Sequence, residues 1–172
     1  MRLSLIVLLG SLLLAIKPTS ASEIAIKAVP DAAVVGRGVL SYAFWAIYEA
    51  TLYAPYGRWD PAQPYALSIT YFREIKGRDI ADTSAQEIRR QGFRDEVTLA
   101  AWHTQMMAIF PDVKEGTLLS AVFTPGEHTT FYSGQDIIGT IKGNDFGRYF
   151  FGIWLSEQTS DPQLRRALLG QS

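Results

Sequence analysis

The clearest pattern along the chain is "YALSITYFR", where Tyr65, Leu67, Ile69, Tyr71 and Arg73 alternate with Ala66, Ser68, Thr70 and Phe72. A period of two predicts a half-buried strand, with Arg73 on the face of Tyr65, Leu67, Ile69 and Tyr71 if the strand runs that far. Val34–Ser41 and Phe44–Ala54, rich in β-branched and aromatic residues, predict two more strands. The proline-rich "YAPYGRWDPAQP" separates them from the alternating run as a loop. The period then lengthens. "GRDIADTSAQEIRRQG" predicts a helix capped by Asp79 or Asp82 and stopped at Gly92. Leu99, Trp102, Met106, Ile109 and Phe110 repeat at helical spacing until Pro111.

Strands resume in "TLLSAVFTPG", "HTTFYSG" and "DIIGTI", joined by the turn clusters "TPGEH" and "SGQD". Phe146, Tyr149, Phe150, Ile153 and Trp154 predict a core-facing helix whose first turn Asn144 or Asp145 could cap. Asp161 and Pro162 open a last helix through Leu164 and Leu168 that ends at Gly170. Runs of strands and runs of helices, without strict alternation, predict an α+β fold: a large antiparallel sheet with helices layered on one face.

The start of the chain has a different pattern. Arg2, an apolar run from Leu3 to Ile16, Lys17, Pro18 and "TSA" are the parts of a secretory signal peptide, with cleavage expected after Ala21. The apolar run falls short of the roughly 20 residues that span a bilayer, so no integral segment is expected after cleavage. The remaining Ser22–Ser172 suits one domain. Removing Arg2 and Lys17 from the 16 basic residues leaves 14 against 17 acidic ones, a net charge of −3. No basic patch invites nucleic acid. With no cysteine, an exported chain is held by its core, not by disulfides. The expected location is periplasmic or secreted.

Candidate chemistry is sparse. His103 and His128 sit in different predicted elements, and no cysteine can join them, so no metal site is expected. No G-x-S-x-G elbow is present. "GRGVLS" precedes a strand where a dinucleotide fingerprint needs a helix, so no cofactor is expected. Asp60, Asp79, Asp82, Asp95 and Glu96 lie at turns or helix starts, where carboxylates act as caps. Arg37, Arg73 and Arg78 stand beside apolar strands. An arginine fork can grip a carboxylate in a dry pocket, or lie solvated with its stem over aromatic rings.

The segments "GRGVLSYAFWAIYEATLYAP", "FPDVKEGT" and "FFGIWL…DPQLRRALLG" resemble the exported bacterial branch of the chalcone isomerase-like superfamily, over Val34 to Gly170. The resemblance implies an open-faced β-sandwich whose ligand cleft lies between sheet and helices. It implies either the plant activity of cyclising chalcones or the fatty-acid binding of non-enzymatic relatives. Carried over by position, the catalytic arginine falls at Arg37, within a one-residue slip. The threonine falls near Ile47, the tyrosine at Ile80, the lysine at Thr83 and a late-helix hydroxyl near Gly152. Losing the tyrosine and lysine removes donors for a developing anion, so chalcone isomerase activity is not expected and no catalytic residue is assigned.

The resulting expectation is a non-enzymatic protein holding a small apolar acid, such as a fatty acid, with Arg37 as anchor and Tyr48, Tyr71 and Arg73 as further ligand-binding candidates. Two alternatives stand beside it. One is an enzyme of unknown isomerase or lyase type with a site rebuilt from Tyr71, Arg73 and Asp79. The other is a structural or interaction module of the cell envelope.

Overall fold

A computed structural model describes residues 20–171, so the signal-peptide segment lies almost wholly outside the described residues. Six strands form one antiparallel meander: β1 (Ala32–Tyr42), β2 (Trp45–Pro55), β3 (Tyr65–Tyr71), β4 (Leu118–Thr124), β5 (His128–Ser133) and β6 (Asp136–Lys142). Four helices cover one face: α2 (Gly77–Arg90), α3 (Glu96–Ile109), α4 (Asn144–Leu155) and α5 (Pro162–Leu168). A short helix, α1 (Ser20–Ala28), precedes the sheet. The α+β fold with an open antiparallel sheet under helices is as the pattern predicted.

The core lies between sheet and helices. Leu52, Leu67, Ala121 and Phe131 point up from β2 to β5, and Phe146, Phe150, Phe151 and Trp154 point down from α4. Their rings meet at centroid distances such as 5.2 Å for Phe131–Phe150, mostly edge to face, the arrangement aromatic quadrupoles favour. Contrary to the half-buried pattern, β3 is buried on both faces. Its second face is covered because α1 places Ile24, Ala25 and Val29 on Tyr53, Ala66 and Val122. Ser68 and Ser120 meet on that face through a hydroxyl–hydroxyl bond of 2.8 Å. Gln135 ties the β5–β6 turn to Glu23 of α1.

The helix starts follow local chemistry in two cases, a long-range contact in a third, and have no side-chain cap in a fourth. Asp95 accepts from the Val97 and Thr98 amides at 3.1 Å, and Asp161 accepts from Leu164 N at 2.9 Å ahead of Pro162. Neither Asp79 nor Asp82 caps α2. The helix starts earlier, at Gly77, whose amide is capped by Asp112 Oδ1 at 2.9 Å from beyond α3. Likewise α4 starts after Gly143 (φ 103°) without a side-chain cap, and Asn144 turns away to accept from Gly126 N.

At the open edge, α5 lies directly on β1. A Cβ at Gly36 would stand 2.2 Å from Ala167 O, and one at Gly38 would stand 2.7 Å from Leu164 Cδ1. Only glycine permits this approach.

Candidate functional site

A cleft of about 290 Å³ opens between the sheet and helix α2. That places it at the lower end of the ~300–1,000 Å³ typical of small-molecule sites. Its floor is Leu40 of β1, Tyr48 of β2, and Leu67, Ile69 and Tyr71 of β3. Phe131, Phe150 and Trp154, all buried, add aromatic wall. The roof is one face of α2, where Asp79, Thr83 and Glu87 follow at spacing four, with Ile80 and Ser84 beside them. Asp79 and Thr83 are exposed and mark the mouth.

Tyr48 and Tyr71 supply the polar groups of the floor. Their rings pack edge to face at 5.8 Å. Tyr48 Oη accepts the Trp154 indole N–H at 2.9 Å, tying β2 to α4 across the cleft and leaving its own proton free to donate. Burial pushes the Tyr48 hydroxyl up to about 12, the Trp154 bond pulls the other way, and the charges of Asp161 and Glu87 add to the rise. Burial, then the neighbouring Tyr48, raises Tyr71 as well. Both phenols are therefore neutral donors at physiological pH. Ser84 Oγ is already committed to Ile80 O at 2.8 Å.

Of the four residues singled out from sequence, Tyr48 and Tyr71 line the cleft and the two arginines do not. Arg37 pairs in register with Thr51, which pairs with Ser68, and that row lies on the face of the sheet opposite α2–α5. The positions flanking it, Gly36 and Gly38, are the ones that face α5, where no side chain fits. The expectation of Arg37 as cleft anchor is thus corrected. A register shift between Val34 and Gly36 contributes: one inserted residue changes which neighbours share a face.

Arg73 falls beyond the end of β3 and is exposed. Its guanidinium lies 4.5 Å from the Trp45 ring centroid and its Nε donates to Ala46 O at 3.4 Å, so it braces the β1–β2 hairpin. Ile47, Ile80 and Thr83, the positions to which the resemblance carries the hydroxyl and amine donors, do line the cleft. Gly152 does not; it lies under Gln91 of the α2 terminus.

Sequence reasoning missed Glu87 and Trp154 as cleft residues. The four-residue spacing of Asp79, Thr83 and Glu87 is visible in the sequence and signals a shared helical face. Trp154 was assigned only to the core stripe. Among the described residues there is no group of three or more His, Cys, Asp or Glu side chains placed to hold a metal ion. No described helix is long and apolar enough to cross a membrane.

Comparison with known proteins agrees with this geometry. No curated protein matches the sequence. Among solved structures, the fold is similar to the Arabidopsis thaliana fatty-acid binding protein AtFAP1, with a TM-score of 0.63 at 12% identity, over 83% of this chain and 89% of that one. The sequence profile of chalcone isomerase-like proteins matches residues 32–170, the whole sheet and its covering helices. The chain belongs to the chalcone isomerase-like family.

Proposed function

We propose that this protein is an exported, non-enzymatic binding protein that holds a small apolar molecule in the cleft between sheet and α2. The observation that carries the reading is the cleft itself: an apolar cavity with two phenol donors on its floor, and aliphatic Ile47 and Ile80 where the resemblance puts catalytic hydroxyls. A fatty acyl chain is the first candidate, because the plant protein of similar fold is a fatty-acid binding protein. Chalcone cyclisation is not part of this reading, because Ile47 and Ile80 carry no hydroxyl that could hold a developing anion. Export rests on the amino-terminal pattern of Arg2, the Leu3–Ile16 run and the small residues ending at Ala21.

Native mass spectrometry of the protein purified from its own host tests the binding reading, followed by calorimetry with acyl-chain compounds. A retained apolar molecule, displaced by added acyl chains, is the expected result. A protein that emerges empty and gives no heat with any acyl compound would end the proposal. Export is tested separately by the amino-terminal sequence of the secreted or periplasmic protein, expected to begin at Ser22.

A further inference from the structure

Binding an acyl chain leaves open which head group the cleft accepts, and the charges around it bear on that choice. Among the described residues lining the cleft there is no lysine, arginine or histidine. The two ionisable carboxyl side chains that line it are acidic neighbours on one helix face, Asp79 at the mouth and Glu87 further in. Glu87 is the more enclosed, with its side chain 19% exposed. The arginines near these carboxylates point to solvent: Arg78 Nε is 3.2 Å from Asp79 Oδ1, and Arg90 Nη1 is 3.7 Å from Glu87 Oε1. They are spent on those carboxylates, and neither lines the cleft. Arg37, the anchor expected from sequence, lies on the far face of the sheet.

A carboxylate brought into this space would lose water without meeting a cation in the lining, and would sit beside two carboxylates whose arginine partners lie on their solvent side. Each of these opposes the ionised form. A hydroxyl or carbonyl oxygen meets no such penalty. It can accept from Tyr48 Oη–H, whose acceptor side is already filled by Trp154, and from Tyr71, whose hydroxyl has no hydrogen-bond partner among the described residues. Resting on the reading that the cleft holds an apolar chain, we infer that its ligand carries a neutral, hydrogen-bond-accepting head, such as an alcohol, amide or ester carbonyl, and that free fatty-acid carboxylate is disfavoured.

The experiment compares dodecanol with dodecanoate on the full purified chain at neutral pH, each displacing a fluorescent apolar dye. Dodecanol is expected to bind at least ~10-fold more tightly, a difference of about 1.4 kcal/mol. An Asp79→Asn/Glu87→Gln variant should narrow that ratio several-fold by removing the like charges. Dodecanoate binding as tightly as dodecanol, or more so, overturns the head-group inference while leaving the apolar-cleft reading intact. An unchanged ratio in the double variant overturns Asp79 and Glu87 as the source of the preference. If neither compound displaces the dye or gives heat, the cleft-binding proposal falls together with this one.

Discussion

The bond between Trp154 and Tyr48 joins the helix layer to the sheet at the cleft, and its removal has a calculable effect. Trp154 is buried, and its indole N–H reaches Tyr48 Oη at 2.9 Å. Tyr48→Phe deletes the acceptor and keeps the ring, so packing on Tyr71 survives while the indole N–H loses its partner. A buried donor left without an acceptor costs about 1–3 kcal/mol, against the ~0.5–1.5 kcal/mol net worth of the bond when made. For a domain of this size each kcal/mol lowers Tm by roughly 2–4 °C. Trp154→Phe removes the donor as well and leaves a void beside Phe150, whose ring lies 5.5 Å away, so its loss should be larger. The two changes share one interaction. The double variant should therefore be less destabilised than the sum of the singles by about 1 kcal/mol in a urea-denaturation cycle. Strict additivity, or a Tyr48→Phe variant as stable as the wild type, would refute the bond as a tie across the cleft.

Other consequences follow from the same geometry. Gly36→Ala should cost about 1–3 kcal/mol by thermal or urea melting, because its methyl would meet Ala167 O at 2.2 Å and push α5 off β1. Asp161→Ala should cost about 1 kcal/mol by removing the cap on Leu164 N, with Asp161→Asn largely restoring it. Alkaline pH should destabilise the fold in a defined window. The folded pKa of Tyr48 is raised to about 12 from 10.0, so the folded state holds the phenol proton more tightly. Its contribution is complete below pH 10 and fades as pH rises towards 12, a loss on the order of 3 kcal/mol. Ultraviolet difference absorbance should show the Tyr48 and Tyr71 phenolates forming together with unfolding, and ionisation well before unfolding would contradict it.

Much of this fold could be read from the pattern of apolar positions, because the helices and the flanking strands each turn an apolar face to the main core. Asp161 with Pro162 and Asp95 were readable as caps because donor and acceptor lie within three residues. The start of α2 was not, since its cap, Asp112, comes from 35 residues away, and α4 has no side-chain cap because Asn144 accepts from Gly126 N instead. Covering of the second face of β3 was hidden too, because Ile24 and Ala25, with Val29 just after them, belong to a short helical segment for which no element is predicted from the sequence.

The site was half legible. Tyr48 and Tyr71 fall on the cleft floor because strand alternation fixes them there. Arg37 was carried to the cleft by the family resemblance, whereas its face in this chain follows from a bulge with no sequence mark and from Gly36 and Gly38 packed under α5. Arg73 was misplaced because β3 stops two residues short of it.

The most direct test of a binding cleft under α2 is a pair of variants in one displacement titration. Thr83→Trp places an indole at the exposed mouth, where it should fold normally and lower the affinity for an apolar dye or acyl compound by at least ~10-fold. Arg37→Ala, on the opposite face, should bind as the wild type does. Loss of binding in Arg37→Ala with binding kept in Thr83→Trp would contradict the assignment of this cleft as the site.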